Sequence, residues 1–147
     1  MKLALIALLF LPLFSFSQVE NKIYDVVVLQ ARFPEGKDSL QTFFKTNINK
    51  KKIKPTRKNE GTISFQFTVL NTGYIKNISL ISGLNKKIDN EFLRIIKLMP
   101  KWEPCEFAAK YIAEDIVLLI QINIDKKTKS ILLNISTEHS SYPHLTK

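Results

Sequence analysis

From residue 61 to residue 69 apolar and polar side chains alternate without a break. Ile63, Phe65, Phe67 and Val69 take one set of positions, and Thr62, Ser64, Gln66 and Thr68 the other. A period of two puts the first set on one face of a strand and the second on the opposite face. Such a strand needs cover on one side only. The run 112–124 obeys the same rule towards its end. Ile116, Leu118, Ile120, Ile122 and Ile124 point one way, while Val117 and Leu119 on the other side give way to Gln121 and Asn123. A sheet with one dry face must be closed by elements of a different period, and two stretches supply them. Leu40, Phe43, Phe44 and Ile48 share one helical face, and Ile88, Phe92, Ile95, Ile96 and Met99 share another. The fold class is therefore α+β, with two helices packed on one face of an antiparallel sheet of three to five strands.

Punctuation residues divide the chain. Ile23 to Leu29 is β-branched and apolar, a first strand. Asp38 with Gln41 three residues on is a capping box for the first helix. Pro55 forbids a helix through the basic stretch that follows. Asn71-Thr72-Gly73 is a short hairpin loop with Gly73 free to take positive φ. The return strand over 74–82 slips between Ile75 and the Ile78/Leu80 pair, the mark of a bulge. Asp89 is placed to cap the second helix and Pro100 to stop it. After 112–124, Asp125-Lys126-Lys127-Thr128 turns the chain, and Ile131, Leu133 and Ile135 alternate as an extra strand. The stretch 137–147 is polar and expected to fray. No internal repeat and no domain linker interrupts this order.

A chain of 147 residues holds one ordinary domain. With 22 basic and 13 acidic residues its net charge is +9, and 45% of it is hydrophobic. That balance excludes a disordered polyelectrolyte and a multi-span membrane protein, and a single Cys excludes a disulfide framework. Met1-Lys2, an apolar run over 3–14 and Ser15-Phe16-Ser17 together have the build of a cleavable secretory signal. The run is too short for a membrane span, which needs roughly 20 residues. The organisation expected is a signal peptide over 1–17, a short strand and lead-in over 18–32, a domain over 33–125, and an extension over 126–147. No Cys follows the apolar run, so a soluble periplasmic protein without a lipid anchor is expected, and export argues against nucleic acid as a partner.

The order of helix, basic loop, hairpin, helix, corner and long strand resembles the C-terminal domain of the TonB energy-transducer family. The resemblance rests on Phe33-Pro34-Glu35-Gly36, Gly61 with the alternation to Val69, Gly73-Tyr74-Ile75, Ile78 and Leu80, and Ser82-Gly83-Leu84. It continues through Ile88-Asp89, Leu93-Arg94 and Met99-Pro100-Lys101-Trp102-Glu103-Pro104. The opening looks like that of standalone exported members of Bacteroidetes type. Glu35 stands where the family often has Gly, and Cys105 where it usually has Gly. If those glycines serve positive φ, the chain relaxes the requirement or bears strain. The family's transducers carry a membrane helix and a long spacer. Here only a short lead-in precedes Phe33, spanning roughly 50 Å at most, so an accessory is expected rather than a motor.

The resemblance implies binding by strand addition, in which an extended segment of an outer-membrane transporter or other envelope protein pairs with the last strand. At about 3.3 Å per residue the run 112–124 would reach roughly 43 Å. The radius of gyration of such a domain is about 14 Å, so the strand is expected to overhang and to offer Leu119, Ile120, Gln121, Ile122 and Asn123 to a partner. Two other outcomes stay open: residues 130–136 fold back over that edge, or two copies pair through it into a homodimer. The alternative function is a self-associating structural envelope subunit. Its basic loop, Lys50, Lys51, Lys52, Lys54, Arg57 and Lys58, would hold it at an anionic membrane surface. Trp102 is expected as a core anchor and Cys105 as a buried, inert thiol. His139 and His144 fall in the tail without a third ligand, so no metal or cofactor is expected. No nucleophile, base and orienting group come together, so no enzyme is expected.

Overall fold

The computed structural model describes residues 27–139. The signal segment 1–17, most of the lead-in and His144 lie outside the described residues. In chain order the elements are β1 (Val28–Leu29), α1 (Lys37–Asn47), β2 (Gly61–Val69), β3 (Ile75–Ser82), α2 (Lys86–Ile96), β4 (Cys105–Phe107), β5 (Lys110–Ile112), β6 (Glu114–Ile124) and β7 (Ile131–His139). A single 3₁₀ turn, Arg57–Asn59, precedes β2. The main sheet is antiparallel in the order β3-β2-β6-β7, and a separate small sheet has the order β1-β4-β5.

Alternation decides the main sheet. Ile63, Phe65, Phe67 and Val69 of β2 and Ile116, Leu118, Ile120 and Ile122 of β6 are buried, and register pairs Ile63 with Ile120 and Phe65 with Leu118. Leu133 and Ile135 of β7 extend the same face. Leu40 and Phe44 of α1 and Ile88, Phe92, Ile95 and Ile96 of α2 belong to the same core cluster. Phe44 and Phe92 stack with centroids 6.2 Å apart, which joins the two helices above the sheet.

The hairpin between β2 and β3 closes through Leu70 N–H to the Tyr74 carbonyl at 2.9 Å, around Asn71, Thr72 and Gly73. Gly73 has φ 83°, and a Cβ there would run into the Trp102 carbonyl oxygen. The turn needs glycine for both reasons. Its own carbonyl accepts from Trp102 N–H at 2.9 Å, which ties the hairpin tip to the corner after α2. The slip expected in the return strand is present. Between the pairs Thr68–Lys76 and Gln66–Ser79, β3 carries an extra residue, and Asn77 there has φ 56°. A second shift follows between Phe65–Leu80 and Ser64–Ser82.

Several local expectations are corrected. No side-chain cap closes α1: its N-cap is Gly36, and Gln41 reaches away to β7 instead of back to Asp38. The cap of α2 is Asn85, whose Oδ1 accepts from Ile88 N–H at 3.1 Å. Asp89 sits inside the helix and takes Leu84 N–H at 2.9 Å. The first strand is short and joins β4, not the main sheet. The run 112–124 breaks at Ala113, because Ile112 ends β5 and β6 begins at Glu114. The long strand is therefore matched to its neighbour. Its pairs with β2 run from Val69–Glu114 to Gly61–Ile122, and little of it overhangs. The tail does not fray at residue 137, because Thr137, Glu138 and His139 complete β7.

Candidate strand-addition edge

A sheet of four strands has two outer edges, and the register decides which they are. β6 lies between β2 and β7, and β7 follows it from Ile124–Ile131 to Ile116–His139 without a shift. Leu119, Ile120, Gln121, Ile122 and Asn123, expected on an overhanging edge, are therefore in an inner strand. Of the outcomes left open for that edge, the structure contains the fold-back. The turn is pinned by Asp125, whose backbone N–H donates to the Ser130 carbonyl at 2.9 Å. Its Oδ1 accepts from Lys127 N–H at 2.8 Å and Thr128 N–H at 3.2 Å, which holds its pKa below the ordinary carboxylate value.

The outer edge of β7 is not bare. Gln41 on α1 donates from Nε2 to the Leu133 carbonyl, and its Oε1 accepts from Ile135 N–H at 2.9 Å. One side-chain amide thus makes the two bonds that a peptide of a further strand would make. Leu133 and Ile135 turn their backbone groups outwards, so antiparallel geometry turns those of Asn134 and Ser136 inwards, onto Gln121 and Leu119. At the opposite edge β3 carries two bulges, which make it an irregular template.

The C-terminal end of β7 meets the small sheet. Glu114 is buried, accepts Ala31 N–H on one carboxylate oxygen at 2.6 Å, and faces His139 Nδ1 with the other at 3.3 Å. Both histidine and glutamate were invisible as a pair in the sequence, where they lie at opposite ends of the last two strands. A cleft of about 740 Å³ opens beside them, lined among others by Leu29, Arg32, Glu103, Tyr111 and His139. Arg32 and Glu103 pair across it through their side chains and their backbones.

Trp102 is 3% exposed and packs edge-on against Phe67 at 5.3 Å and Phe33 at 5.8 Å. It holds the corner and is not available as a platform for a ligand. Cys105 is fully buried in β4. Glu35 has φ 62° and Gly36 φ 87°, so Glu35 bears the left-handed conformation where the family often has Gly. At Cys105 no such requirement exists, since it lies in a strand.

The basic loop divides. Lys52 Nζ lies 2.8 Å from Oε2 of Glu91, a buried residue of α2, while Lys50, Lys51, Lys54, Arg57 and Lys58 are exposed without an ion pair among the described residues. Glu91 also takes Arg94 Nη2 on Oε1 at 2.5 Å and Asn49 N–H at 3.0 Å, and Arg94 passes on to the Asn47 carbonyl at 2.7 Å. The Arg94 guanidinium, with Lys52 and the Asn49 amide, lowers the pKa of Glu91 to about 2 against the cost of burial. Arg94 is raised in turn. The network and Ile53, which is fully buried, fasten the loop to both helices.

Residues 54–124 match the family model described as the Gram-negative bacterial TonB protein C-terminal. This segment is similar to the TonB C-terminal family. The match ends on the last residue of β6, so β7 and α1 stand outside the matched TonB segment. No curated protein and no solved structure matches the chain. TonB C-terminal domains are periplasmic protein-interaction modules of envelope transport and are not enzymes. Among the described residues, no helix is long and apolar enough to cross a membrane.

Proposed function

We propose that this protein is an exported periplasmic binding module that pairs by strand addition with an extended segment of an outer-membrane transporter or another envelope protein. It serves transport as an accessory rather than as the motor. One observation supports the reading: β6, the last strand of the family-matched segment, takes an extended strand along its edge in unbroken register. That edge accepts an extended strand, the kind of pairing the resemblance implies, and its present occupant comes from the same chain. Leu119 to Asn123 are the positions at which a partner would lie.

The test is a photo-crosslinking residue at Gln121, whose side chain is exposed on the open face of the sheet. Cells of the native host are irradiated and the product is identified by mass spectrometry. A segment of an outer-membrane protein is the expected product. Crosslinks to its own chain or a second copy alone would remove the transport reading. A second reading, a structural envelope subunit held at an anionic surface, is favoured by the five exposed cations of the basic loop that are not engaged by Glu91.

A further inference from the structure

β7 has the geometry of a bound partner strand and is held by a device separate from the sheet. On its inner side it pairs with β6, and on its outer side the Gln41 amide grips Leu133 and Ile135. Leu133 and Ile135 also send their side chains into the core, where they are 7% and 0% exposed. Between them Asn134 is exposed on the open face, opposite Gln121. Four contacts of two kinds, two apolar and two polar, thus fall on Leu133 and Ile135, the two residues that flank Asn134.

We infer that β7 is an intramolecular occupant of the partner site and that Gln41 is its latch. Release of the Gln41 amide loosens β7 on β6, and the edge it vacates on opening takes an extended segment of another chain. The arriving segment must carry aliphatic residues two positions apart, with a small polar residue between them, because it has to refill the places of Leu133, Asn134 and Ile135. The inference rests on the strand-addition reading and adds to it the kind of partner and the control of access. Gln41 lies outside the family-matched segment, as β7 does. The physical basis is economy of cover: an unpaired edge invites indiscriminate pairing, and a strand already in place rejects every segment that pairs less well.

Hydrogen exchange resolves the latch without any partner. The amides of Leu119 and Gln121 point to β7, and those of Leu118 and Ile120 point to β2. If β7 leaves as a unit, the first pair exchanges by local opening while the second waits for global unfolding. In Gln41→Ala, the loss of two bonds should speed exchange at Leu119 and Gln121 about tenfold relative to Leu118 and Ile120. Gln41→Met, which keeps the helix and the apolar stem, should do the same. General destabilisation raises all four amides together, so the ratio reads the latch even in a weakened variant. An unchanged ratio in both variants overturns it.

The second readout is a labelled synthetic peptide with the sequence of residues 131–139, N-methylated at the position of Ile135 so that it still pairs with β6 through Asn134 and Ser136 but cannot donate to Gln41, added to the full chain. Its Kd should fall about tenfold in Gln41→Ala, because there β7 has lost its Gln41 bonds while the methylated peptide loses little. A peptide with Asp at the positions of Leu133 and Ile135 should not bind. Equal binding of the first peptide to both proteins counts against the latch. The two proposals fail separately. A captured outer-membrane segment with an unchanged exchange ratio retires the latch and leaves strand addition standing. A changed ratio with only self-crosslinks from Gln121 retires the transport reading and leaves the latch.

Discussion

Glu91 shows what a single buried charge does to this fold. Its carboxylate joins the end of α1, the basic loop and α2 through Asn49, Lys52 and Arg94, and it is 1% exposed. A carboxylate out of water needs such partners, and those partners favour its charged form. Its pKa is about 2 in the folded chain against 4.5 ordinarily. A folded-state value below the unfolded one gives stability that is complete above the unfolded pKa and is lost as pH falls towards the folded one. By linkage that contribution is on the order of 3 kcal/mol. Glu91→Gln should therefore lower the unfolding free energy by about 3 kcal/mol at pH 7. The gap to the parent chain should close as pH falls from about 4.5 to about 2. Urea titrations at several pH values measure it, and a gap that does not change with pH would contradict the account.

At the scale of elements, turns and caps decide where strands and helices stop, and their chemistry varies in quality. Asn85 caps α2 in the ordinary way, with Asp89 satisfying the amide before it. The turn between β4 and β5 is poorer. Phe107 pairs with Lys110 across Ala108 and Ala109, whose φ values are 48° and 61°. Two successive left-handed residues make the mirror-image hairpin turn that favours Asn-Gly, and alanine there bears a cost of about 1 kcal/mol or more. Ala109→Gly should stabilise the protein by about 1 kcal/mol, seen as a rise in the urea midpoint at constant slope. A loss of stability would mean that the turn is not left-handed at this position. The Asp125 turn is the contrast. It carries a side-chain acceptor for two of its own amides, and that fixes the register of β7 on β6.

At the scale of the molecule, charge and edge meet: Lys50 of the basic loop shares a small groove with Ile131, Leu132 and Leu133 of β7. The basic loop presents Lys50, Lys51, Lys54, Arg57 and Lys58 on either side of Lys52 and Ile53, which tie it down. A rigidly held cluster of cations attracts an anionic surface through water, and salt weakens it as the Debye length falls from about 10 Å at 0.1 M to about 3 Å at 1 M. Under the second functional reading the chain should sediment with vesicles containing phosphatidylglycerol at low salt and be released by added salt. Lys50→Glu with Lys51→Glu and Lys54→Glu should abolish sedimentation while leaving the Glu91 network intact. Sedimentation that ignores both salt and these substitutions would remove the membrane reading.

Much of this architecture was legible along the chain because it follows from neighbours two, three or four residues apart. The alternation through β2 and β6, the two helical stripes, Gly73 in the hairpin and the bulge in β3 all come from such short-range rules. What stayed hidden depends on groups far apart in sequence. Gln41 looked like half of a capping box, yet its amide meets backbone groups of β7. Nothing in their neighbours marks Glu91 or Glu114 as buried, yet both are buried against partners from other elements. The edge itself was the clearest case. The alternation of Ile131, Leu133 and Ile135 marks a strand, but which strand it pairs with is not a local property. That was decided in the tertiary structure, by the Asp125 turn, by the apolar places left open beside β6 and by the reach of Gln41 from α1. Periodicity determines which face of an element is dry; only the packed fold determines which backbone edges remain free.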